Sequence, residues 1–140
     1  MNKDLIYKNI RAQGGRITKV RKEIVQILSG ENCLKSQADI LLCLQKLKLN
    51  PNRSTIFREL LFLVKHNIVV KNNISGIDYY EIPDCHHHHL VCLKCNSISK
   101  VEADDHLEKQ EKQLSKKNKF QIVNHSLEFY GYCHNCQVKL

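Results

Sequence analysis

The chain reads as an α+β protein in two parts: an N-terminal winged helix-turn-helix over residues 1–83 and a small α/β domain over residues 84–140. Three observations predict this. Up to residue 66, apolar side chains recur at helical spacing in stretches that each begin or end on a turn or cap signal. IVVKNNISGIDYYEI (68–82) then holds two β-rich runs around Ser75-Gly76, which reads as a hairpin. Beyond Pro83 the pattern changes to strand, helix and strand, enclosed by two C-x-x-C pairs.

The first helix, 3–13, turns Leu5, Ile6 and Ile10 inward and stops at Gly14-Gly15. Thr18 caps a second helix carrying Val20, Ile24, Ile27 and Leu28, which ends at Ser29-Gly30. Ser36 with Asp39 forms a capping box for a third, with Ile40, Leu41, Leu44 and Leu47 inward. Asn50-Pro51-Asn52 breaks the chain before a fourth, 53–66, with Ile56, Leu60, Leu63 and Val64. Helices followed by a hairpin is the order of a winged helix, whose last helix enters the major groove while the wing lies along the backbone. A helical bundle with an added hairpin would show the same stripes. In the second part, 98–102 reads as a strand, 104–117 as a helix, and 120–133 as a strand returning to the second C-x-x-C.

No apolar run approaches the ~18 residues of a membrane span. The N-terminus is amphipathic rather than a charged-then-apolar leader, so the expectation is a cytoplasmic protein with no membrane partner. The net charge of +8 is uneven: residues 1–83 hold 14 Lys/Arg against 7 Asp/Glu, and residues 84–140 hold 8 against 7. A basic half beside a near-neutral, ligand-rich half points to one part meeting a polyanion and the other handling metal. Solvated lysines that keep the protein soluble are the plainer account. On the fourth helix, Ser54, Thr55, Phe57 and Arg58 occupy the first turns and are mostly not needed for a core. Hydroxyls and a helix N-terminus suit phosphates, Arg suits guanine edges and an aromatic ring suits a thymine methyl, although Phe57 could equally be buried.

Seven cysteines in a reducing compartment are ligands or buried thiols more often than disulfides. Cys92-x-x-Cys95 and Cys133-x-x-Cys136 are 37 residues apart. Each pair sets two sulfurs at a tetrahedral edge, and two pairs close a structural Zn2+ site with no open position. One pair alone could be redox-active. The run DCHHHHLVCLKC adds histidines. If it is extended, His86 and His88 point to one face, with Glu108 and His125 as candidate partners. His87 and His89 point to the other, with Glu81 and Cys33 as candidates. Solvated polyhistidine without a site is the alternative.

GGRITKVRKEIVQIL, STIFRELLFLVKHNIV, YEIPDCHHHHLVCLKC and NHSLEFYGYCHNC together resemble the ferric uptake regulator family of metal-responsive repressors over nearly the whole chain. The resemblance implies a winged helix, a hinge near Pro83-Asp84 and a dimerisation domain, assembled as a homodimer on a double-stranded DNA operator. It implies structural zinc on Cys92, Cys95, Cys133 and Cys136, a second site on His86, His88, Glu108 and His125, and a domain-bridging sensor on Glu81, His87 and His89. Arg16 falls where the family inserts a basic residue into the minor groove, and Phe57-Arg58 fall on its base-contacting Tyr-Arg. Five departures stand out, one of them Phe57, which lacks the tyrosine hydroxyl though its ring can still touch a thymine methyl. Leu34 occupies the place of a usual sensor His, so Cys33, a water or an incomplete shell must serve. Lys100 stands where an acidic residue is usual, His88 replaces an Asp, and Val20 replaces a Pro. The regulatory metal implied is Fe2+ or Zn2+, with Mn2+ a further candidate. The expected function is repression of metal-uptake genes, of the ferric type first and the zinc type second. A metal-insensitive interaction protein and a zinc enzyme are the remote alternatives. No H-E-x-x-H or comparable catalytic element is present, so no enzyme is expected.

Overall fold

The computed structural model describes residues 2–30, 34–83, 87–102, 106–123 and 125–138. Cys33 and His86, both proposed ligands, lie outside the described residues. The chain divides into two compact units, Met1–Asp84 and Cys85–Leu140.

In the first unit, α1 (Lys3–Ala12) ends in a left-handed Gly14, and Gly15 N–H returns to the Ile10 carbonyl at 2.9 Å. Thr18 Oγ1 accepts from Arg21 N–H and starts α2 (Lys19–Leu28). A two-residue β1 (Lys35–Ser36) leads into α3 (Gln37–Lys46), where the Ser36–Asp39 capping box is complete on both sides. Asn52 caps α4 (Arg53–Lys65), and Asn67 takes the left-handed turn that ends it. The hairpin is β2 (Val70–Ile74) and β3 (Ile77–Glu81), antiparallel with Ile74 opposite Ile77. Ser75 and Gly76 both have positive φ, the requirement of a tight two-residue turn. β1 pairs with the other side of β3, so the sheet order is β1-β3-β2. Ile10, Ile24, Leu28, Ile40, Leu44, Ile56, Leu60 and Leu63 fill one core under this sheet, with Ile68, Val69 and Tyr80.

In the second unit, β4 (His88–Cys92) is the central strand. β5 (Ile98–Val101) pairs with it antiparallel, α5 (His106–Asn118) crosses over, and β6 (Glu128–Gly131) pairs with its other edge in parallel. The returning strand is much shorter than the 120–133 expected from sequence. β4 has five residues, and its ladder with β6 runs only from His89–Glu128 to Cys92–Gly131. Among the described residues, 120–123 and 125–127 belong to no strand, so His125 sits in the approach to β6 rather than within it. Among the described residues the unit buries few side chains: His88, His89, Val91 and Cys92. Among the described residues no helix is long and apolar enough to cross a membrane.

Candidate nucleic-acid interface and metal centres

Helical periodicity sorts α4 into two faces. Ile56, Leu60 and Leu63 are buried, which leaves Ser54, Phe57, Arg58, Leu61 and Lys65 on the outside. Phe57 is 52% exposed and Leu61 55%, so the aromatic ring is not part of the core. Two large apolar side chains one turn apart, flanked by Arg58 and Lys65, make an exposed face that is both cationic and apolar. Sequence reasoning missed Leu61 and Lys65. Continuing the 54–58 spacing along the same face would have reached them. Ser54 and Thr55 are placed on the first turn, but their hydroxyls both donate to Asn52 Oδ1, at 2.8 and 2.7 Å, beside the Thr55 N–H at 2.8 Å. They reinforce the N-cap in this state. Arg16 is exposed just ahead of α2, and its carbonyl accepts from Arg21 Nη1 at 2.9 Å.

The four cysteines of the two C-x-x-C turns converge. Their sulfurs all lie within 4.8 Å of one another, and Cys95 Sγ is 3.8 Å from Cys133 Sγ. Sulfurs bound ~2.3 Å from a shared tetrahedral zinc stand about 3.8 Å apart, so the cluster has the span of that coordination. The backbone explains the convergence. β4 runs into the first turn, where Asn96 N–H donates to the Cys92 carbonyl at 2.9 Å, and β6 delivers the second turn alongside. Cys133 N–H donates to Cys92 Sγ at 3.4 Å. That contact, with help from backbone N–H groups near Cys95, lowers the Cys92 thiol to about 6. Hydrogen bonding to Ser97 likewise lowers Cys95. Cys136 is pushed the other way, to about 12, first by its hydrogen bond with the neighbouring Cys133 sulfur and then by burial. Uncompensated sulfurs this close cannot all be anionic, and a divalent cation removes that conflict. The donor set fits zinc, and with four thiolates it leaves no position for substrate.

The histidines divide between two sides of the β4 backbone. His88 is buried, with its ring centroid 5.5 Å from that of His125 and 6.3 Å from Phe129. On the other side His87 and His89 meet edge-to-face at 5.0 Å. His125 Nδ1 is paired with the Glu111 carboxylate, not with Glu108. The α5 pattern explains why: Leu107, Glu111 and Ser115 are the partly buried positions, four residues apart, while Glu108 is exposed. Glu111 is the residue that sequence reasoning overlooked, and this helix stripe was the available signal. In the first unit Glu81 closes β3, is buried, and accepts from Asn72 Nδ2 at 2.9 Å. Leu34 is half-buried ahead of β1, and Lys100 is exposed opposite His89 on β5.

The family model described as "Ferric uptake regulator family" matches residues 12–130. The ferric uptake regulation protein of Bacillus subtilis is 31% identical over 142 residues, spanning 97% of this chain and 95% of its own. The Helicobacter pylori ferric uptake regulator, whose structure reveals three functional metal-binding sites, aligns with a TM-score of 0.77 at 27% identity, covering 97% of this chain and 91% of its own. The Pseudomonas aeruginosa regulator, solved with manganese, gives 0.74 at 25% identity over 91% and 97% of the two chains. The match runs from the end of α1 into β6 and so takes in both units. On that ground the chain belongs to the ferric uptake regulator family of DNA-binding, metal-responsive transcriptional regulators.

Proposed function

We propose that this protein is a repressor of metal-uptake genes of the ferric type, acting in the cytoplasm as a homodimer on a double-stranded operator. The observation that carries the reading is the division of labour inside the second unit. A closed four-sulfur cluster can hold the fold, while two separate histidine faces remain for metal that comes and goes. Cys92, Cys95, Cys133 and Cys136 hold structural zinc. His88, His125 and His86 belong to a second site, with Glu108 the carboxylate that the resemblance implies and Glu111 the one that supports His125 here. Glu81, His87 and His89 form the sensor, with Cys33 a candidate for the position where relatives carry a His. A metal on that set ties the end of β3 to the start of β4. It shifts the DNA-binding equilibrium only by its preference for the tied state. Arg16 reads the minor groove, Phe57 and Arg58 read base edges, and Ser54 and Thr55 reach phosphates once they exchange Asn52 for DNA. Half-exposed Leu90, Phe129, Tyr130 and Tyr132 on the second unit supply apolar surface for the dimer.

The test refills metal-free protein with zinc alone, zinc plus ferrous iron, or zinc plus manganese. Each form is titrated on a duplex selected from a random library by the metal-loaded wild type. The ferric reading expects one tightly held zinc per chain to be insufficient and ferrous iron to restore binding. His89→Ala should abolish the iron response while keeping the structural zinc. A response to excess zinc only would make this a zinc uptake regulator, which three histidines on one face also suit. Binding indifferent to every metal would leave the fold without a sensor, and Leu34 and Lys100 are the features that would explain it.

A further inference from the structure

Arg21 is the buried cation of the first unit among the described residues, 9% exposed. Burying a guanidinium is costly unless its donors are matched, and here two of them are matched from two different segments, α4 and the loop that precedes α2. Nε donates to Glu59 Oε2 on α4 at 2.5 Å, and Nη1 donates to the Arg16 carbonyl at 2.9 Å. The guanidinium carbon lies 4.1 Å from the centre of the Phe62 ring, also on α4. Gly15 packs beneath the group so closely that an added Cβ would stand 2.8 Å from Arg21 Nη1 and 2.6 Å from Phe62 Cζ. Both ends of this network adjoin residues that face outward. The carbonyl belongs to Arg16 itself, and Glu59 follows Arg58 on α4.

We infer that Arg21 is a positioning residue for DNA reading. Its planar fork sets the Arg16 backbone and α4 at one spacing, so that the Arg16 side chain meets the minor groove while α4 occupies the adjacent major groove. Well-packed apolar residues often replace a buried ion pair without loss of stability, so stability alone does not call for an arginine here. Fixed directionality does. A lysine carries the same charge but cannot direct two in-plane donors at once to a carboxylate and a carbonyl. The inference rests on the assignment of Arg16 and α4 as the DNA-reading elements.

A double-mutant cycle tests it on the full-length protein, loaded with zinc and ferrous iron, with the selected duplex at fixed salt. Arg21→Lys should weaken specific binding roughly tenfold. It should also flatten the preference for A·T-rich flanks, with zinc content and melting temperature close to wild type. In an Arg16→Ala background the same change should cost less than about threefold, because its target is already gone. If Arg21→Lys does not fold, Glu59→Gln keeps the size and an acceptor on α4 and is carried through the same cycle. Losses that add fully, or an unchanged flank preference, would reduce Arg21 to a structural residue and overturn the inference alone. If Arg16→Ala binds and discriminates flanks like wild type, the minor-groove assignment falls first and the inference falls with it.

Discussion

Arg58 and Glu59 are consecutive on α4, yet one faces outward and the other is held against Arg21. Helical geometry alone separates these roles, which is why single substitutions here should have sharply different consequences. Arg58→Ala removes an exposed cation and leaves the core untouched. We expect it to cost roughly 1–3 kcal/mol on the selected duplex, to relax base preference at one position, and to leave thermal stability unchanged. Equal loss on all sequences in a competition assay would mean that Arg58 contacts only phosphate. The two α5 carboxylates offer a similar contrast. Glu111 holds His125 and Glu108 faces solvent, so Glu111→Gln should lower metal occupancy beyond the structural zinc more than Glu108→Gln. Metal analysis after dialysis against a fixed free-metal buffer checks this, and the reverse order would make Glu108 the carboxylate on which the second site depends.

The local signals of the helices and hairpin were readable because each depends on residues a few positions apart. The Ser36–Asp39 box, the Gly14 stop and the Ser75-Gly76 turn all appear where the spacing predicts them. The Asn52 cap gathers two hydroxyls and one N–H at the start of α4. Asn52→Ala should therefore destabilise the first unit by about 1 kcal/mol and fray the turn bearing Ser54 and Thr55. Thermal melts and amide exchange at Ser54 to Ile56 report both effects, and unchanged exchange there would show the cap to be redundant. The length of β6 was not legible, because a strand extends only as far as its neighbour, and β4 is short. The Arg21–Glu59 pair was not legible either. It joins residues 38 apart, and nothing local marks either as a partner. The two C-x-x-C turns were legible as a pair because metal geometry restricts their spacing. The divergence between Glu108 and Glu111 depends on the rotation of α5, which one sequence leaves open.

At the scale of the molecule, apolar packing is uneven. The first unit has a continuous core of aliphatic side chains, whereas the second buries two histidines, a valine and a cysteine among its described residues. A unit of that size with so little core needs a staple, and the thiol cluster joins the C-terminal ends of β4 and β6 where one would act. We expect Cys95→Ser to lose about one zinc per chain and to weaken the dimer, because metal-binding energy in such a site is folding energy. The first unit should keep its helical signal. Full zinc content with an unchanged melting curve would remove the structural role of the cluster.

The parallel pairing of β4 with β6 has a consequence in time. During synthesis the strand that opens the second unit is made well before its partner, with β5 and α5 between them. The second pair of cysteines comes later still. The first unit, by contrast, is one uninterrupted stretch rich in local helical contacts, and domains generally fold as the ribosome releases them. A nascent chain arrested after α5 should therefore display a protease-resistant winged helix and a protease-sensitive remainder, whatever the zinc supply. Competence to touch DNA would thus precede competence to respond to metal, and newly made chains would pass through an interval in which they are readers without a regulator.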